Sequence, residues 1–183
     1  MIFRKNENIE VTIDKEDLTS LLSIETFKEQ CEDLFKKTNL QKSIFIIKID
    51  NYRELSESYS YSALKEIQLS VAKLIQGSSY LAQNTAHLEE DKFICLAKGL
   101  NSGMALTVAK LLLTSVKNKR SNVVNKDGTV TTLSVTASIG LYNVTELDSI
   151  DTAINNANSA LTTAIEKEGN QVCTYEKEWS FLS

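Results

Sequence analysis

Proline is absent from this 183-residue chain, so no proline-marked linker divides it, and no low-complexity segment or internal repeat breaks it up. A single histidine, His87, leaves no histidine-based nucleophilic triad to be built from the plentiful serines and threonines. The cysteines, Cys31, Cys95 and Cys173, are far apart, odd in number and without CxxC spacing. That pattern argues against a zinc site or a disulfide framework and suits reduced, buried thiols in a cytoplasm. No apolar run reaches the roughly 18 residues that cross a bilayer. The first eight residues also lack the apolar core of a signal peptide, so membrane insertion is not expected. Positive charge is not in excess either: 20 Lys and Arg stand against 24 Asp and Glu, a net charge of −4 that leaves no surface suited to nucleic acid. The one basic cluster, Lys117-Asn118-Lys119-Arg120, follows an apolar helical pattern and reads as a helix C-terminus facing its macrodipole.

What remains is ordinary globular material, 42% hydrophobic and 24% charged, long enough for one domain with a sizeable core. Ile9, Val11 and Ile13 alternate with polar residues as a short strand or extended arm. Ile24, Phe27, Cys31, Leu34 and Phe35 share one face of a helix over residues 24–37. Residues 43–49 form a continuous β-branched and aromatic run, the mark of a central strand covered on both faces. A long helical pattern follows to about residue 75, with Leu64, Ile67, Val71, Leu74 and Ile75 on its buried stripe.

Residues 86–88 and 93–97 make a candidate hairpin, and residues 102–116 another helix. Two strands, 122–125 and 130–141, are joined by Lys126-Asp127-Gly128, whose Asp-Gly pair is a strong hairpin signal. A helix over 148–167 and a strand over 171–175 close the domain. The order predicts an α+β fold, with a sheet core and helices packed on it.

Four motifs in order make the chain resemble the GGDEF, or diguanylate cyclase, family over about residues 16–175. Leu18-Thr19-Ser20-Leu21, after Glu16, resembles the opening LTGL element. Ile47-Lys48-Ile49-Asp50-Asn51-Tyr52-Arg53 resembles the DxDxFK strand end. Val135-Thr136-Ala137-Ser138-Ile139-Gly140 resembles the VTxSIG strand, and Ala157-Asn158-Ser159-Ala160-Leu161-Thr162 through Asn170-Gln171-Val172 resembles the closing helix and strand. The resemblance implies a cyclase-like, mostly antiparallel central sheet flanked by helices. Residues 1–15 would then be an N-terminal arm and 176–183 a C-terminal tail.

The departures from the family pattern carry the functional expectation. The family joins two GTP molecules with acid-held divalent metal, Lewis-acid work that a lysine cannot replace alone. On the resemblance, the first metal aspartate is Lys48, while Asp50 keeps the second acidic position. In the hairpin Leu88-Glu89-Glu90-Asp91-Lys92-Phe93, both glycines become glutamates, Asp91 keeps the acid, and the next acid becomes Lys92. The guanine-reading positions fall on Ser56 and Lys65, the phosphate-facing lysine on Ile165, and only Arg53 remains for phosphate.

Glutamate in place of glycine fills the space a triphosphate needs and adds like charge. At about 4 Å and an effective dielectric near 20, each such contact costs on the order of 4 kcal/mol. The family's inhibitory RxxD falls on Tyr80-Leu81-Ala82-Gln83, without either charged residue. Two arrangements are open: the Lys48 ammonium occupies the metal position and neutralises Asp91, with or without Asp50, or Lys48 snorkels to solvent.

These expectations describe a catalytically inactive module without a cofactor, acting through a protein partner in bacterial cyclic-di-GMP-related signalling, with a homodimer also allowed. Trp179 and Phe181 in the tail are candidate partner contacts, alongside the alternative that they fold back on the sheet edge. Two other readings stand beside it. One is a divergent enzyme using Asp50, Asp91 and Glu90 around a shifted metal, and the other a nucleotide receptor with a new binding mode. His87 is more simply a hydrogen-bonded strand residue than a metal ligand, and Tyr52, Tyr59 and Tyr61 suit packing better than base stacking.

Overall fold

The computed structural model describes residues 21–176. The expected N-terminal arm, most of the Leu18-Thr19-Ser20-Leu21 element, and Trp179 and Phe181 lie outside the described residues. Strand β1 (Lys42–Ile49) is the middle of a five-stranded sheet ordered β2-β3-β1-β6-β7. Its neighbours β3 (Lys92–Lys98) and β6 (Ala137–Asn143) run antiparallel to it. At the edges, β2 (Thr85–Glu89) pairs antiparallel with β3, and β7 (Val172–Thr174) runs parallel to β6.

The unbroken apolar run of β1 has the cause the sequence suggests, since both faces are covered. Phe45, Ile47 and Ile49 face a layer containing α3 (Tyr61–Gln76) and α4 (Ser102–Asn118). Ile44 and Ile46 face α1 (Ile24–Phe35) and α5 (Ile150–Glu166).

Two expected continuities are broken. The helical run after β1 divides into α2 (Tyr52–Ser58) and α3, with Tyr59 and Ser60 extended between them. Ser60 caps α3 by accepting from the Ala63 amide at 3.2 Å, the role for which serine is favoured. The run 130–141 is likewise two strands: β5 (Val130–Leu133) pairs with β4 (Ser121–Val124) in a separate two-stranded ribbon, and only β6 enters the main sheet. A sequence without Gly, Pro, Asn or Asp from 129 to 139 gives no local turn signal for the crossing at 134–136. The change of partner from β4 to β1 imposes it.

A buried lysine fastens α1 to the sheet. Lys42 is 4% exposed and donates to the carbonyls of Leu34 at 3.1 Å, Phe35 at 3.5 Å and Lys37 at 2.7 Å. Its ammonium also lies 5.6 Å from the Phe35 ring centroid. One cation thus satisfies carbonyls that the end of a helix leaves free. Lys42→Met keeps the volume but strands those acceptors, and a charged hydrogen bond contributes about 1.5–3 kcal/mol. We expect a loss of about 2 kcal/mol in denaturant unfolding, with amide exchange in α1 accelerated more than elsewhere. Unchanged α1 protection would rule out the capping role.

Candidate functional site

The end of β1, the β2–β3 turn and helix α2 converge at one end of the sheet. The Ile49 amide donates to the Asp91 carbonyl at 2.9 Å, which holds the turn against the strand. Lys48 stands in register with Lys92 on one side and Ser138 on the other. Its ammonium makes a close ion pair with the Asp91 carboxylate, and the two side chains are only 25% and 14% exposed. Lys92 pairs with Glu89 at 2.9 Å. Two lysines and two acids therefore cancel across the turn, and Glu90 adds an exposed negative charge.

The turn closes without glycine geometry. None of Glu89, Glu90 and Asp91 has positive φ, and a register shift between His87 and Glu89 takes up the irregularity instead.

Asp50 is placed differently from the expectation. Its carboxylate accepts from Thr136 Oγ1 at 2.7 Å, Ser138 Oγ at 2.6 Å and the Asn170 amide at 3.0 Å. Those donors come from the crossing into β6, from β6 itself and from the turn after α5. Glu168, Gly169 and Asn170 all take positive φ (72°, 71° and 50°), and a Cβ on Gly169 would lie 3.1 Å from the Asp50 carboxyl carbon. Three consecutive left-handed residues are costly outside glycine, and the bond to Asp50 helps to hold them.

The arrangement does not fit a divalent metal. A cation already occupies one acid, three donors occupy the other, and no cluster of three or more acids, cysteines or histidine suited to an ion occurs among the described residues.

The remaining positions are engaged locally. Arg53 is 88% exposed and sits 3.7 Å from Glu57 within α2. Ser56 donates to the Arg53 carbonyl at 2.6 Å, and the Lys65 ammonium lies 5.5 Å from the Tyr61 ring centroid. Ile165 is an exposed apolar position on α5. Tyr80 is half-exposed in the turn before β2. His87 packs its ring 5.3 Å from that of Phe93, and its buried Nε2 has no hydrogen-bond partner among the described residues.

One buried group was not anticipated from sequence. The Gln68 amide donates to the Tyr52 hydroxyl beneath the turn, leaving the Gln68 carbonyl oxygen without a partner among the described residues. Burial first, and then the negative charges of Glu90 and Asp91, push the Tyr52 phenol above its ordinary range. A glutamine inside an apolar helical stripe is the only sequence signal for this pair.

A family model described as "Diguanylate cyclase, GGDEF domain" matches residues 13–171. The chain belongs to the GGDEF family. Among curated proteins, Diguanylate cyclase A of Treponema denticola is 25% identical over 130 residues, 71% of this chain. The aligned part is 34% of that protein, so this chain spans about a third of its curated relative.

Among solved structures, the GGDEF domain of DgcB from Caulobacter crescentus, in complex with c-di-GMP, superposes with a TM-score of 0.79 at 14% identity, covering 95% of this chain and 99% of that one. The GGDEF domain of YfiN from Pseudomonas aeruginosa gives 0.74 at 23%, covering 88% and 94%. Diguanylate cyclase SiaD from Pseudomonas aeruginosa, in complex with its activator SiaC, gives 0.76 at 18%, covering 87% and 60%. These likenesses establish the GGDEF fold. The turn that the sequence resemblance compares with the family's hairpin, Glu89-Glu90-Asp91-Lys92, lies between β2 and β3.

Proposed function

We propose that this GGDEF domain is catalytically silent and acts through protein contacts in cyclic-di-GMP signalling. The observation that carries the reading is the Lys48–Asp91 ion pair, which puts a fixed ammonium where the family's chemistry calls for metal. Asp50 cannot compensate while Thr136, Ser138 and Asn170 hold its carboxylate. Glu90, exposed at the tip of the turn, repels a triphosphate approaching from solvent, and Lys92 is already paired with Glu89. With Ser56 and Lys65 at the base-reading positions, specificity for guanine has no evident source. The complex of SiaD with SiaC is an example of a GGDEF-containing protein assembled with a protein regulator.

The competing reading is a divergent nucleotide enzyme centred on Asp91 and Glu90. Thermal unfolding and product formation, each measured with GTP, ATP and cyclic-di-GMP in magnesium and in manganese, separate the two. The silent domain is expected to show no turnover and a midpoint shift under about one degree. Product that disappears in Asp91→Ala would establish the enzyme. A ligand at a hundred times its dissociation constant stabilises by about 2.7 kcal/mol, so binding without turnover would register as a shift of several degrees and identify a receptor.

A further inference from the structure

The β4–β5 ribbon stands outside the main sheet and is fastened at one end. Ser60 Oγ donates to the Val124 carbonyl at 2.6 Å, Asn125 bridges to Tyr59, and Lys126 donates to the Ser56 carbonyl at 3.3 Å and to that of Glu57. Its inner face is anchored by Val123, buried in the core, and by Ser121, whose hydroxyl lies 2.9 Å from that of Ser70. The outer face is left open. Val124 and Val130 are register partners there, 42% and 69% exposed. Among the described residues, no strand pairs with the far edge of β5.

The composition of that edge is unusual for an exposed strand. Natural sheet edges are commonly guarded by charge, shortness or cover. The main sheet follows this pattern: β2 ends in Glu89 and takes a bridge from Leu22, and β7 lies between Glu168 and Glu176. By contrast β5 is Val130-Thr131-Thr132-Leu133, β-branched at three positions, and no charged residue occurs from 128 to 145. The absence of charge in β6 follows from burial, but the exposed side of β5 has no such cause.

We propose that β5 pairs antiparallel with β5 of a second copy of this chain about a two-fold axis, joining two ribbons into one four-stranded sheet. Antiparallel self-pairing is isologous, so each strand offers its partner the same row of donors and acceptors that it needs. The charge balance favours this partner. Two molecules of net charge −4 repel on average, and the ribbon edge, neutral on both sides, adds no like-charge contact. The outer faces of the two ribbons then form one apolar strip from Val124 and Val130 of each copy. A four-residue contact lies at the small end of specific interfaces, so affinity is roughly micromolar or weaker. The pairing names one partner for the interaction module proposed above and does not depend on the nucleotide site being silent.

Sedimentation equilibrium of the full 183-residue chain over a wide concentration range tests it. The wild type is expected to pass from monomer to dimer, and V130K/T132K to dissociate at least tenfold more readily with an unchanged circular dichroism spectrum. L111K, at an exposed apolar position on α4, should dimerise like the wild type. Hydrogen exchange on the wild type gives a readout independent of variant folding, because amides over 130–133 should gain protection as concentration rises. A chain monomeric throughout, a dimer indifferent to the two lysines, or concentration-dependent protection confined to another segment would overturn the proposal.

Discussion

Lys48→Asp should lose about 3 kcal/mol of stability in metal-free buffer and recover much of it when magnesium or manganese is added. The substitution removes the counter-charge of Asp91 and sets a second carboxylate beside it, in a site where the two wild-type side chains are only 25% and 14% exposed. Two unit charges at about 4 Å and an effective dielectric near 20 repel by about 4 kcal/mol, a figure that residual solvent reduces. Lys48→Ala, which breaks the pair without adding an acid, should cost less, about 2 kcal/mol.

The cation dependence is the decisive part of this prediction. The aspartate variant should melt several degrees higher in millimolar divalent metal, and the wild type should not respond. Equal stability of Lys48→Asp and Lys48→Ala in chelator would mean that the ammonium is not the counter-charge of the site. On the proposed function, the added acid is not expected to bring turnover, because Ser56, Lys65 and Glu90 are unchanged.

Gly140→Ala should prevent folding or reduce stability by on the order of 4 kcal/mol, a size reached only by severe core disruption. A Cβ at this position of β6 would lie 2.0 Å from the Ala157 carbonyl oxygen, 2.4 Å from the Leu161 amide nitrogen and 2.8 Å from the Leu161 Cβ. Two of those atoms are backbone, so no rotamer change relieves the contact. Helix α5 reaches the sheet this closely because its buried stripe includes Ala153, Ala157, Ala160 and Ala164. Soluble yield and urea unfolding of the variant are the readouts. A loss below about 1 kcal/mol would mean that α5 can lift off β6 at little cost. Gly99 and Gly128 have open space where a Cβ would go, so any cost there comes from their positive φ alone.

Much of the fold was legible because its signals are local. The β-branched run of β1, the hairpin at Asp127-Gly128 and the apolar stripes of α1, α3 and α5 each follow from residues within a few positions of one another. The breaks at Tyr59-Ser60 and at 134–136 were not legible, because remote partners set them: the ribbon docks against the first, and β1 captures the chain after the second.

The site divides in the same way. The meeting of Lys48 with Asp91 followed from the family resemblance, which sets Lys48 at a metal position beside the hairpin acid. The surroundings of Asp50 did not, since its hydroxyl and amide donors lie 86, 88 and 120 residues further along the chain. Gln68 and Tyr52 met across a helix break that periodicity reads as continuous.

Asp50 also bears on how related sequences are sorted. A motif scan that counts acids at the end of the first strand would score its presence and miss its surroundings. Its carboxylate ties the left-handed turn after α5 to β6, structural work that does not depend on turnover. In this chain the aspartate serves the closure of the domain. On the proposed function, the discriminating residue is two places earlier: Lys48, whose ammonium pairs with Asp91.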